Sequence, residues 1–302
     1  MSTTTTGLPT CYRHPDRETG LSCSECGRPI CTECMTAASV GLRCPDHAGA
    51  RAQSAGRPLG TRAPRIMPRA AHLQLGGTEA LVTKALIALN VVVYLIGAVQ
   101  GGGINNPMPP SILANSHAIY PKLWLDAPQL AQGDWWRLIT TMFLHESLVH
   151  IGFNMLALWW IGAPVEKYLG RARYLGVYFV AGLAGSAGAL IQTPGITVGA
   201  SGAIFGILGA MLILEWQATG RFGGNALTLI VINLALSFTL ANISIGGHIG
   251  GLVGGILATL AFARWGRGHA AYGRIGLGGA LGLVIIAGVS VGIAYWQVRG
   301  YA

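Results

Sequence analysis

Residues 199–216 read GASGAIFGILGAMLILEW, and a second apolar stretch at 246–263 reads GGHIGGLVGGILATLAFA. Glu215 is the only Asp, Glu, Lys or Arg in either stretch. Small residues recur about once per helical turn in both stretches, at Gly202, Gly206, Gly209 and Ala210 in the first and at Gly247, Gly250, Gly251, Gly254 and Gly255 in the second. Because small residues at this spacing let membrane helices approach closely, the two stretches predict a tightly packed helix pair.

The composition of the whole chain indicates a membrane protein. Of the 302 residues, 52% are hydrophobic and 10% are charged, whereas soluble domains average about 25% charged residues. Apolar stretches of about the length that crosses a bilayer occur near residues 81–99, 143–163, 174–192, 201–216, 226–242, 247–265 and 274–297. The sequence therefore predicts an all-α polytopic membrane protein with seven transmembrane helices.

The polar residues are concentrated before the first of these spans. All six Cys lie in the first 44 residues, and nine of the 20 Lys and Arg lie before Thr78. We therefore expect three parts: a Cys-rich head (residues 1–50), a basic flexible linker (51–77) and a membrane domain (78–302).

The net charge of +9 could indicate binding to nucleic acid or to a lipid surface. The arginines of the linker stand directly before the first span, where a basic excess holds a segment at the cytoplasmic face of the bilayer. We therefore expect the lipid bilayer, and no nucleic acid, as the partner of this charge.

The head carries four pairs of metal-binding residues, each pair separated by two residues: Cys11 and His14, Cys23 and Cys26, Cys31 and Cys34, Cys44 and His47. A two-residue spacer lets both side chains reach one ion, and thiolate with imidazole favours Zn²⁺. Eight ligands complete two closed tetrahedral sites, which predicts two structural zinc ions and none for catalysis. Three disulfides are the alternative, but they would leave the two His unexplained.

The distribution of basic residues predicts the orientation in the membrane. Lys or Arg follow the second, fourth and sixth spans, at Lys167, Arg171, Arg173, Arg221, Arg264, Arg267 and Arg274, and are absent from the short loops after the third and fifth. Since cytoplasmic loops accumulate Lys and Arg, we expect a cytosolic N-terminus and an outside C-terminus, in a bacterial plasma membrane. A cytosolic head would also keep its thiols reduced.

Ser201 and His248 are the residues of the two glycine-rich stretches that could carry chemistry. Serine alone indicates little, because serines in membrane helices usually bond back to their own backbone. Histidine is disfavoured at membrane depth and marks functional sites. Close approach of the two helices would bring the Ser201 hydroxyl to the His248 ring, which is the arrangement of an activated nucleophile.

The second span carries His145, His150 and Asn154. His150 and Asn154 are four residues apart and share one helical face. Both can donate hydrogen bonds at one point, as the stabilisation of a developing oxyanion requires. A polar clamp between helices is the alternative role for this pair.

Taken together, these motifs resemble the rhomboid family of intramembrane serine proteases, and the loop motif Trp136-Arg137 extends the likeness. The resemblance covers residues 80–265 and implies a six-helix core with one added helix. It implies that Ser201 is the nucleophile and His248 the general base, without an acid as a third member.

The same resemblance implies the supporting residues and the substrate. An oxyanion hole would form from His150, Asn154 and the Ser201 backbone N–H, with Gly199 allowing tight passage of the chain and His145 nearby. The substrate would be a transmembrane segment of another membrane protein. Two other functions are possible, a catalytically inactive relative or a transporter. An inactive relative should lack the serine or the histidine. A transporter has no need for this combination of serine, histidine and asparagine.

The head resembles the B-box type of zinc finger, a protein-interaction module. That resemblance implies a cytosolic protein partner for the zinc domain and interleaved ligand sets, which would be Cys11, His14, Cys31 and Cys34 in one site and Cys23, Cys26, Cys44 and His47 in the other. The spacing by itself leaves the pairing open.

Overall fold

The computed structural model of the chain describes residues 8–37, 42–48, 79–192, 195–239, 243–263, 268–271 and 275–301. The chain divides into two compact units, Met1–His72 and Leu73–Ala302. The predicted linker at 51–77 lies outside the described residues, as do three of the arginines used to predict the orientation, Arg264, Arg267 and Arg274.

The head is built from two short hairpins and one helical turn. Strand β1 (Thr10–Cys11) pairs with β2 (His14–Glu18), β3 (Thr36–Ala37) pairs with β4 (Leu42–Arg43), and both pairs are antiparallel. Helix α1 (Pro45–Ala48) follows. The buried cluster of this unit consists of one isoleucine, Ile30, and five cysteines. A segment with so little apolar surface cannot fold on burial alone.

Helices form the second unit. In chain order they are α2 (Leu81–Gln100), α3 (Tyr120–Leu123), α4 (Ala127–Ala131), α5 (Arg137–Thr140), α6 (Leu148–Ala157), α7 (Ala163–Leu169), α8 (Arg171–Gln192), α9 (Ser201–Thr219), α10 (Asn225–Thr239), α11 (Ile245–Phe262) and α12 (Leu277–Val298). A π-helical turn, Leu158–Gly162, joins α6 to α7, so these two form one continuous helix.

The described residues contain six helices that are long and apolar enough to cross a membrane, and the apolar α10 is shorter, at 15 residues. Each of the seven predicted spans thus corresponds to a helix. The last residues of the fifth predicted span, 240–242, lie outside the described part. The architecture is that of an all-α polytopic membrane protein with a small Cys/His unit at its N-terminal end.

The second span begins later than the sequence predicts, at Leu148 instead of residue 143. Ser147 is extended, and its hydroxyl accepts the His150 backbone N–H at 3.2 Å, which caps the helix. His145 therefore lies before the helix, and its prediction as part of this span was wrong.

Helices α8, α9 and α11 pack through glycine at the centre of the membrane domain. A Cβ atom on Gly251 would overlap the Gly202 carbonyl, and one on Gly255 would overlap Gly206, so α9 and α11 touch through their backbones. This is the close approach that the glycine spacing predicts. Helix α8 joins the same contact, because a Cβ on Gly188 would overlap the Gly246 carbonyl. The glycine spacing predicts a pair of helices and not this third one.

Helix α12 supports the long loop between α2 and α6. Ala294 and Val298 of α12 belong to one buried cluster with Leu125 and Leu130 of that loop. Leu125 in turn forms a β-bridge with Thr197, four residues before the serine at the head of α9. The added seventh helix therefore packs on the segment that borders the candidate site.

Candidate active site

Ser201 is the first residue of α9, so its backbone N–H has no acceptor within the helix. Gly199, two residues earlier, has a φ of +127°, a conformation that residues with a side chain rarely adopt. A Cβ atom there would lie 2.8 Å from His150 Nε2. Glycine at this position thus lets the chain pass directly against His150 on its way to Ser201.

The structure brings Ser201 and His248 into direct contact. The Ser201 Oγ lies 2.8 Å from the His248 Nε2, a normal distance for a hydrogen bond. His248 is 7% exposed, and its imidazole stacks on Phe205, with ring centroids 4.2 Å apart and planes inclined by 20°. A serine hydroxyl that contacts an unprotonated imidazole nitrogen can be deprotonated as it attacks an electrophile.

The other nitrogen of the His248 ring also has a partner. Its Nδ1 lies 2.7 Å from the Oγ of Ser237 on α10, and Ser237 is buried. Ser237 was not among the site residues that the sequence predicted. The only feature of the sequence that could have marked it is a serine within an apolar helix. Such a serine is usually explained by a hydrogen bond to the backbone of its own helix, and Ser237 also makes that bond.

His150 and Asn154 lie on α6, one helical turn apart. The Asn154 side-chain amide donates to the His150 backbone oxygen at 2.9 Å, which uses one of its two hydrogens. His150 Nδ1 is 4.0 Å from the Glu146 carboxylate, and its Nε2 borders Gly199. These contacts place the two side chains beside the loop that leads to Ser201.

His145 packs against His150 and makes no described contact with Ser201 or His248. The two ring centroids are 5.0 Å apart, edge to face. His145 is fully buried, and among the described residues neither of its ring nitrogens has a hydrogen-bond partner. Its contact is therefore with a side chain of the site and not with the serine.

Arg137 of the predicted loop motif orders the long loop. Its guanidinium pairs with Asp134 at 2.9 Å and donates to the backbone oxygens of Pro121 and Trp124, both at 2.9 Å. The side chain is 5% exposed. An arginine with this many buried acceptors holds the loop in one conformation.

In the head, the eight predicted ligands form two clusters. They consist of Cys11, His14, Cys31 and Cys34 in one cluster and Cys23, Cys26, Cys44 and His47 in the other. Within each cluster the ligand atoms lie within 4.8 Å of one another, and all six Cys of the described head are free of disulfides. Each set of three thiols and one imidazole could hold a metal ion, so the head is compatible with a zinc-finger-like domain.

The thiols of the first cluster differ from one another in pKa. Burial raises the pKa of the Cys11 thiol, but hydrogen bonds from backbone N–H groups, with Arg13 first, outweigh it and lower the pKa to about 6. The thiolate is the form of cysteine that ligates metal. Cys34 of the same cluster shifts in the opposite direction, because burial raises the pKa of its thiol to about 11.

Comparison with known proteins identifies the class to which this fold and site belong. Residues 132–265 match the Rhomboid domain. Rhomboid protease GluP of Bacillus subtilis (strain 168) is 35% identical over 221 residues, which cover 72% of this chain and 40% of that protein. Putative rhomboid protease YdcA of the same organism is 37% identical over 134 residues, which cover 42% of this chain and 67% of that protein.

A plant relative, RHOMBOID-like protein 7 of Arabidopsis thaliana, is 40% identical over 129 residues, 40% of this chain and 41% of that protein. The chain belongs to the rhomboid family. It spans about two fifths of the length of GluP and of the plant relative, and about two thirds of YdcA. Its apolar helices make it an integral multi-pass membrane protein.

Proposed function

We propose that this chain is an intramembrane serine endopeptidase that cleaves transmembrane segments of other membrane proteins. The observation that carries the proposal is the contact of the Ser201 Oγ with the His248 Nε2 at 2.8 Å, between two helices of membrane length. Membership of the rhomboid family supports the same reaction.

In the first half of the proposed reaction, His248 Nε2 takes the proton of the Ser201 hydroxyl as Oγ attacks the carbonyl carbon of the scissile peptide bond. The carbonyl oxygen becomes an oxyanion. Donors positioned for that charge are the Ser201 backbone N–H and the side chains of His150 and Asn154. Because Ser201 begins α9, the partial positive charge of the helix N-terminus stabilises the same oxyanion.

In the second half, the His248 imidazolium gives its proton to the nitrogen of the leaving peptide as the C–N bond breaks. An acyl ester on Ser201 remains. His248 then takes a proton from a water molecule as the water oxygen attacks the ester carbon. It returns that proton to the Ser201 Oγ as the ester C–O bond breaks and the second product leaves. These steps need no cofactor.

Two other functions fit the chain less well. An inactive relative that only binds membrane proteins has no use for a serine hydroxyl held against an imidazole. A transporter would also contain glycine-interrupted spans, but it has no need for a Ser/His pair beside the donors His150 and Asn154. Both alternatives predict that removing the Ser201 hydroxyl leaves function intact.

We further propose how the rest of the chain serves this activity. Two structural Zn²⁺ ions fill the two clusters of the head (1–50), and the linker (51–77) separates it from the protease domain (78–302). The head lies in the cytosol, where a protein partner binds it, and the C-terminus lies outside, in a bacterial plasma membrane. Loops with Lys or Arg after the second and fourth spans support this orientation.

Cleavage of a model transmembrane substrate in proteoliposomes tests the proposed reaction. Ser201→Ala and His248→Ala should each abolish cleavage, and the double variant should be no worse than either, because members of one catalytic unit are non-additive. Ser290→Ala on α12 is a matched control that removes a buried hydroxyl elsewhere. Cleavage by Ser201→Ala at the wild-type rate would refute the proposal.

A further inference from the structure

The proposed reaction leaves the contact between Ser237 and His248 without a role. Within its described length, α10 buries three side chains, and Ser237 is one of them, at 3% exposure. Its Oγ lies 2.7 Å from His248 Nδ1 and 2.7 Å from the Asn233 backbone oxygen. A single hydroxyl therefore has two close polar neighbours, and it has one proton to share between them.

Counting protons decides which way each of these hydrogen bonds runs. The Asn233 backbone oxygen can only accept, so the Ser237 hydroxyl donates to it. The hydroxyl oxygen must then accept the proton of His248 Nδ1–H. If the hydroxyl instead pointed at Nδ1, two oxygen atoms with no proton between them would stand 2.7 Å apart in a buried site, which is unfavourable.

This direction of bonding fixes the other side of the ring. With its proton on Nδ1, a neutral His248 has a bare Nε2, and Nε2 is the atom that lies 2.8 Å from the Ser201 Oγ. The opposite tautomer would present Nε2–H to Ser201 and could not accept its proton. We infer that Ser237 is a positioning residue that holds His248 in the tautomer competent to act as base, an inference that rests on the proposed function.

The stacking of His248 on Phe205 cannot replace this contact. Stacking fixes the plane of the imidazole, but a half-turn of the ring about its bond to Cβ leaves the plane unchanged and moves both nitrogens. The hydrogen bond to Ser237 distinguishes the two ring orientations because only one of them places Nδ1 against the hydroxyl. Among the described residues, no Asp or Glu side chain pairs with His248 to do this instead.

The neutral character of Ser237 sets the size of the expected effect. A carboxylate in this place would both orient the imidazole and offset the charge of the imidazolium. A hydroxyl orients the ring but carries no charge. Loss of Ser237 should therefore slow the reaction by about tenfold, the order expected for one net hydrogen bond, and far less than loss of His248 itself.

Kinetics of the full-length protein in proteoliposomes test the role of the hydroxyl. Ser237→Ala should lower kcat about tenfold and leave KM unchanged. Ser237→Thr, which keeps a hydroxyl, should restore kcat. Ser290→Ala is the matched control, because the Ser290 hydroxyl is buried and donates to the Ile286 backbone oxygen at 2.8 Å in the same manner; it should change neither constant.

Two kinetic results would overturn the inference. One is wild-type kcat in Ser237→Ala. The other is a Ser237→Thr variant that unfolds at the wild-type temperature but is as slow as Ser237→Ala. Failure of the proposed function would look different, because either the wild type would not cleave or Ser201→Ala would cleave equally well.

The tautomer itself can be measured in the wild-type protein, so this test does not depend on how the Ser237 variants fold. Nitrogen-15 NMR of protein with labelled histidine at about pH 8, with the His248→Ala spectrum subtracted for assignment, reports which ring nitrogen carries the proton. We expect a protonated Nδ1 and a bare Nε2 on His248. The reverse tautomer would overturn the inference whatever the kinetics give.

Discussion

At the scale of single residues, His150 and Asn154 are the side chains of the site whose hydrogen-bond donors have the fewest other partners. Asn154 uses one amide hydrogen on the His150 backbone oxygen and keeps the second. His150 Nδ1 has no hydrogen-bond partner among the described residues, and Nε2 borders Gly199. Both side chains can therefore offer a hydrogen to an oxyanion at Ser201.

We predict that Asn154→Ala and His150→Ala each lower kcat by about 10²–10³-fold, the usual loss for one oxyanion donor. The control is Asn90→Ala, since Asn90 on α2 is a buried amide that donates to the Leu86 backbone oxygen at 2.8 Å in the same way. Turnover numbers for these variants in proteoliposomes check the prediction. Unchanged turnover in both site variants would make His150 and Asn154 a packing clamp.

At the residue scale, the sequence predicts a functional residue where its side chain is costly to bury in a membrane. It does not predict one where the residue type is common in membrane helices. His248 and the glycines around it stand out in an apolar stretch, so the sequence points to them. Ser237 does not stand out, because a serine that bonds to its own helix needs no other explanation. The direction of its hydrogen bonds depends on distances that only the structure supplies.

At the scale of elements, the contact of α9 with α11 holds the two halves of the site together. Gly255 of α11 contacts Gly206 of α9 with no room for a side chain. Gly251 contacts Gly202 in the same way, one helical turn closer to Ser201 and His248. The distance between Ser201 and His248 is therefore set by backbone contact and not by adjustable side chains.

We predict that Gly255→Ala destabilises the membrane domain by about 1–3 kcal/mol, since a methyl group must push two backbones apart. Gly288→Ala on α12 is the matched control, because a Cβ atom at Gly288 meets nothing within 4 Å. Unfolding in detergent, followed by the same probe for both variants, compares them. Equal stability of the two variants would contradict the proposed packing.

The sequence locates the elements better than it locates their ends. Hydrophobic stretches mark the six described helices of membrane length and the shorter α10, because crossing a bilayer requires a long apolar helix. The ends depend on local caps, such as Ser147 at the start of α6 and Ser244, whose hydroxyl accepts the Gly247 N–H at 3.0 Å at the start of α11. The contact of α12 with the long loop is tertiary and has no counterpart in the pattern of any single span.

At the scale of the whole molecule, the chain joins two units that are stabilised in different ways. The membrane domain has a large buried cluster of apolar side chains, whereas the core of the head is mostly cysteine. Metal binding would supply the folding free energy that burial cannot.

We predict that the isolated segment 1–50 binds two zinc ions and folds only with metal. Elemental analysis and circular dichroism with and without a chelator check this. Cys11→Ser and Cys23→Ser affect different clusters, so each should reduce the content to about one zinc ion per chain. One zinc ion in the unaltered segment would refute the ligand assignment.

We also predict that the head is dispensable for the chemistry. A protein that starts near Thr78 should cleave a model substrate in detergent at a rate close to that of the full chain, because the proposed catalytic groups all lie in the membrane domain. Loss of cleavage by this shortened protein, if it unfolds at the wild-type temperature, would assign the head a direct part in the reaction.

A fluorophosphonate probe, with its adduct located by mass spectrometry, shows directly whether Ser201 is a nucleophile activated by His248. This probe forms a covalent bond with an activated serine and needs no knowledge of the substrate. The wild-type protein should carry one adduct, on Ser201, and His248→Ala should carry none at the same exposure. An adduct on another residue, or equal labelling of Ser201→Ala, would show that Ser201 is not the activated nucleophile.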